Sequence, residues 1–127
     1  MTLEQLKQFT QDYFDVDITE KTRKVEIIKI RYLFYYYAYN YIPEYLTYQA
    51  IGNAVGFNHA TVIHGIKEFP NFMLLDTKFK NEVNHFEKVL FKFMDNKKDK
   101  VKVNINKVDF IKRRINFYEQ QLKQLQQ

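Results

Sequence analysis

Asn58, His59, Ala60 and Thr61 follow Gly56 closely and precede Val62 and Ile66, two apolar residues at helical spacing. That order puts a cluster of short polar groups on the opening turn of a helix. Asn58 can cap the helix by accepting from its free N–H groups. Val62 and Ile66 anchor it to a core, leaving His59, Ala60 and Thr61 exposed at its start. An asparagine amide can pair with an adenine edge, and an alanine methyl can meet a thymine methyl. Just upstream, Thr47 can cap a short helix whose apolar face is Ile51 and Val55. Gly52 leaves room for a second helix to cross closely, and Gly56 stands where a residue with positive φ is wanted. Residues 48–65 therefore read as two short helices joined by a tight turn. In that helix-turn-helix layout the second helix enters the major groove of DNA.

The same residues argue against catalysis. His59 and His64 are five apart, not the four that places two ligands on one helical face, and no carboxylate lies between them. The chain has no cysteine, so thiolate sites and cysteine nucleophiles are excluded. Its three glycines, Gly52, Gly56 and Gly65, form no phosphate-cradling loop. The expectation is a non-enzyme with no catalytic residues, no metal and no cofactor.

Charge supports a polyanionic partner. The net charge is +5, unevenly spread. Residues 1–20 carry one basic and five acidic groups, residues 21–70 six and three, and residues 96–127 nine and three. Positive charge thus gathers on the helix-turn-helix region and the C-terminal tail, which favours phosphate neutralisation. For the tail taken alone, a solvated lysine-rich surface is the simpler explanation. Residues 27–42 are too short and too polar for a membrane span, no signal peptide is visible, and a cytoplasmic location is expected.

The elements that must position the cluster are all helical. Thr2 and Gln5 have capping-box form, and Leu3, Leu6, Phe9, Tyr13 and Phe14 predict a first helix over 3–14. A second, long helix should start at about Glu20 or Arg23 and run to about Tyr41, before Pro43. It is apolar on most sides, so its run of tyrosines reads as core rather than as a base-stacking platform. Pro70 and Asn71 read as a break. Asp76 or Thr77 should cap another helix to about Met94, with Phe79, Val83, Phe86, Leu90 and Phe93 inward. Residues 96–100 form a polar linker, 101–105 alternate like a short strand, and 106–125 make a last amphipathic helix. The fold class is all-α: a compact helical domain over 1–95, containing the helix-turn-helix at about 47–69, and a basic linker with a C-terminal helix over 96–127. The apolar seam of 106–125 fits either a homodimer or protein contact or packing on its own domain.

Several of these residues resemble a known family. Thr22-Arg23-Lys24-Val25 opens a long helix with Arg31 and Tyr36, then come Ile51-Gly52 and His59-Ala60-Thr61-Val62-Ile63-His64-Gly65. This series is similar to the C-terminal DNA-binding domain of DnaA, a tryptophan-repressor-like helix-turn-helix, over about residues 20–92. The resemblance implies that Arg31 contacts DNA beside the reading helix, that His59 meets a thymine, and that Thr61 helps to hold the backbone. Lys24 and Lys67 are placed with Arg31 as phosphate anchors. Asn58 and Ala60 replace an aspartate and a threonine of the family signature, so the family's recognition sequence does not transfer. Phe57 replaces its arginine, which removes a cation near the phosphates. The turn is one residue shorter, and so also fits generic helix-turn-helix repressors.

The reading is thus a double-stranded DNA-binding protein with a DnaA-like helix-turn-helix, without ATPase activity, serving replication or transcription. The alternative is a helical protein-interaction module that uses the same scaffold to bind a replication or transcription protein. His64 reads as a core or helix-contact residue rather than a base contact, and His85 as a surface or edge residue with no role.

Overall fold

Thr2 closes the first turn of α1 (Leu3–Phe14) by the reciprocal capping box: the Gln5 N–H donates to its hydroxyl at 3.1 Å, and its own N–H donates to the Gln5 side chain at 2.9 Å. The computed structural model describes residues 1–42 and 46–96, together with 119, 120 and 123. Its further helices are α2 (Val25–Tyr41), α3 (Tyr48–Val55), α4 (His59–Leu75) and α5 (Thr77–Asn96). Among the described residues the fold is all-α, as the sequence predicts. The expected strand over 101–105 and most of the expected helix over 106–125 lie outside the described residues.

The middle of the molecule is α2. From Leu33 to Ala38 every side chain is buried, which requires neighbours all round. α1, α3 and α4 supply them. The tyrosines are core: Tyr35 is fully buried, Tyr36 meets Phe69 at 4.9 Å between ring centroids, and Tyr37 stacks on Tyr41 at 5.0 Å. Phe86 of α5 ties three helices together. Its ring lies 5.5 Å from Phe9, 5.3 Å from Tyr13 and 5.5 Å from Tyr37. Edge-to-face and tilted contacts of this kind add to the burial of each ring.

Two expectations about boundaries are corrected. α2 begins at Val25, because the residues around Ile18 to Glu20 are held against α1 and Arg31. Ile18 is fully buried, and its N–H donates to the Gln11 side chain at 3.1 Å. The break expected at Pro70 does not occur: α4 continues through it to Leu75. An interior proline costs a helix about 3 kcal/mol, but Phe69 and Pro70 are buried and Phe72 and Met73 pack against the core. Burial of the following turn outweighs the lost hydrogen bond. The actual break comes at Asp76. Its carboxylate accepts from the Phe79 N–H at 3.1 Å, capping α5, and from Lys29 at 2.8 Å. The inner face of α5 is Phe79, Val83, Phe86 and Leu90 as expected, with Met94 in the fifth buried place and Phe93 half-buried.

Candidate nucleic-acid interface

The geometry of the turn comes from two glycines. Gly56 ends α3 with φ +80°, a left-handed conformation that costs glycine little. At Gly52 a Cβ would stand 2.4 Å from the Phe57 carbonyl oxygen, so the incoming turn passes against bare backbone. The Phe57 N–H donates to the Gly52 carbonyl at 2.9 Å and fixes that approach. Thr47 caps α3 through the Ala50 N–H at 3.0 Å. Asn58 caps α4, its Oδ1 accepting from the Thr61 N–H at 2.9 Å and from the Thr61 hydroxyl at 3.0 Å.

That cap constrains what Asn58 and Thr61 can offer. The Asn58 oxygen is engaged with Thr61, which leaves its amide N–H₂ pointing from an exposed residue. His59 and Ala60 are exposed, and Thr61 is half-buried. Beyond them, Ala60, His64, Lys67 and Asn71 recur at intervals of four, three and four, and all four are exposed. Residues so spaced share one helix face. This stripe is the outward face of α4, while Val62 and Phe69 are buried behind it. His64 stands on the stripe with its ring nearly perpendicular to that of Tyr32, 6.0 Å away between centroids. The helix contact expected of it is present, but a core position is not: His64 is exposed and belongs to the outward face, because its four-residue spacing from Ala60 sets it there.

Arg31 is the residue whose placement differs most from expectation. It is 4% exposed. Its Nε donates to the Ile18 carbonyl at 2.8 Å, and Nη2 donates to the Glu20 carbonyl. Its guanidinium carbon also lies 4.2 Å from the centroid of the Phe57 ring. A buried guanidinium needs such acceptors, because its desolvation would otherwise be costly. In this structure Arg31 therefore faces inward, fastening residues 18–20 to α2, and is not presented to solvent as a phosphate anchor. Lys24, at the N-cap of α2, and Lys67, on the stripe of α4, are both exposed.

Phe57, expected to cost the site a cation, instead gathers two. Besides Arg31, the Lys21 ammonium stands 3.6 Å from its ring centroid and donates to the Gly56 carbonyl. Lys21 was missed in the sequence because it lies 35 residues from its acceptor.

No group of three His, Cys, Asp or Glu residues that could hold a metal occurs among the described residues. No described helix is long and apolar enough to cross a membrane. His85 is exposed, and the Tyr13 hydroxyl is hydrogen-bonded to its Nδ1.

The chain was compared with known proteins on this basis. The family model for the bacterial DnaA protein helix-turn-helix matches residues 3–68, from the start of α1 into α4. The match thus begins well before residue 20, where the motif resemblance starts. The chain is similar to the chromosomal replication initiator protein DnaA of Wolbachia pipientis wMel, 30% identical over 93 residues, which is 70% of this chain and 20% of that protein. It is similar to the protein of the same name from Flavobacterium psychrophilum, 31% identical over 94 residues, covering 71% of this chain and 19% of the relative. The chain thus spans about one fifth of the length of these curated relatives. No solved structure matches it significantly. The capped α4, the glycine turn and the family match from α1 into α4 lead to one conclusion: this chain belongs to the bacterial DnaA protein helix-turn-helix family.

Proposed function

We propose that this chain binds double-stranded DNA, presenting the N-terminal half of α4 to the major groove in a replication- or transcription-associated role, without ATPase activity. The observation that carries the reading is the exposed face beginning at the Asn58 cap: His59, Ala60, His64 and Lys67, held from behind by Val62 and Phe69. His59, Ala60 and the Asn58 amide are the groups offered to base edges, with Thr61 beside them. Lys24 and Lys67 are the outward cations for phosphates. Relatives named as chromosomal replication initiators favour the replication setting.

Selection of bound duplexes from a random pool, run at two salt concentrations, tests the proposal. A defined site that binds less tightly at higher salt is expected. His59→Ala should relax preference at one base position, worth about 1–3 kcal/mol of discrimination. Identical selection profiles for the variant and the wild type would remove His59 from the reading set.

A second reading, protein docking on the same scaffold, is favoured by Leu74 and Leu75 at the far end of α4, which are 59% and 88% exposed. Duplex binding absent at every salt concentration would favour it.

A further inference from the structure

Phe57 sits where two cations from different elements converge. Lys21 comes from the segment before α2, and Arg31 from its second turn. Neither forms an ion pair with a described carboxylate; the described ion pairs are Lys7–Glu4 and Lys29–Asp76. Their described partners are the Phe57 ring and the carbonyls of Ile18, Glu20 and Gly56. Carbonyl dipoles and the ring quadrupole attract cations, but they leave the net charge of two undiminished. Two like charges are thus held at the turn that opens α4, with no described carboxylate within ion-pair distance of either; an influence of opposite sign comes from the exposed Asp17, which acts on Arg31 through space. Arg31 is buried and fixed, whereas Lys21 is exposed.

We propose that Lys21 is a DNA-backbone ligand and that Phe57 is the residue that positions it. The ring and the Gly56 carbonyl hold the ammonium at the entry to α4, where a groove-bound helix meets the flanking phosphates. Phe57 then does not cost the site its cation. It replaces a cation on the turn with one drawn from the preceding segment. An aliphatic side chain of similar size would fill the space but would lack the quadrupole that attracts Lys21.

The inference rests on the DNA-binding reading, and one titration separates the two. The full chain and its variants Lys21→Gln, Phe57→Leu and Phe57→Tyr are titrated with the selected duplex over a salt series. Lys21→Gln should lower the slope of log Kobs against log salt by about 0.9, the loss of one phosphate contact. Phe57→Leu should show the same loss, and adding Lys21→Gln to it should change nothing further. Phe57→Tyr should restore the wild-type slope, and the selected sequence should be unchanged throughout. A wild-type slope in Lys21→Gln overturns the assignment of Lys21, while a wild-type slope in Phe57→Leu overturns the role of Phe57. If Phe57→Leu fails to fold, Lys21→Gln still decides the assignment of Lys21, which is on the surface, and a reduced slope in Phe57→Tyr, which keeps the ring, overturns the positioning role. A wild-type chain that binds no duplex at any salt concentration instead overturns the DNA-binding reading itself.

Discussion

Two buried polar side chains of α2 have opposite energetic consequences. Tyr35 is fully buried, and its hydroxyl makes no hydrogen bond among the described residues. Burial pushes its ionisation well above the ordinary tyrosine range. An unsatisfied buried hydroxyl costs stability, so Tyr35→Phe should raise the unfolding free energy by about 1 kcal/mol. Urea unfolding of the two proteins checks it, and a less stable variant would mean that the hydroxyl is satisfied. Arg31 is the converse case, with both described donors on loop carbonyls. Arg31→Met should cost about 2–3 kcal/mol, because charge-assisted bonds are lost and two carbonyls lose their partner. A variant that melts with the wild type would contradict the inward role of Arg31. The caps at Thr47 and Asn58 were legible in the sequence because each spans three residues. Arg31 was not, since its acceptors lie 13 and 11 residues away and its ring partner 26 residues away.

Among the elements, α1, α3 and the inner face of α5 follow from apolar spacing and local caps, and the sequence predicts them well. The passage of α4 through Pro70 does not follow from local preference, because buried neighbours decide it. The α3–α4 turn is the most constrained join. Gly52→Ala would drive a methyl into the Phe57 carbonyl, with backbone rather than a flexible side chain in the way. Overpacking of this kind costs about 1–3 kcal/mol. Both a lower melting temperature and weakened duplex binding are expected, and a variant unchanged in both would show that the turn can relax. At the α4–α5 join, the Lys29 hydrogen bond, followed by the Phe79 N–H, holds the Asp76 carboxyl below its usual range. A carboxylate with a lowered folded-state pKa contributes stability at neutral pH, and this is lost as pH falls through that pKa. Asp76→Asn should therefore melt lower than wild type at neutral pH, with the gap closing in acid. Melts across the acid range test this, and a gap independent of pH would contradict it.

For the molecule as a whole, the buried core extends from Leu6 to Met94 within the described residues. A fragment ending at residue 96 should accordingly keep a cooperative melt, followed by circular dichroism. Loss of that cooperativity would place part of the core in residues 97–127. The overall division of labour was only partly visible in the chain. Among the described residues the positions of most helices follow from periodicity, but the attachment of Lys21 to the turn depends on the assembled fold. That attachment limits how the module can be transplanted. Residues 47–69 contain the two helices and their turn, yet the side chains bracing Phe57 come from Lys21 and Arg31. A graft of 47–69 alone onto a foreign scaffold would carry the two helices and their turn without the cations that brace it. The portable unit starts no later than Ile18.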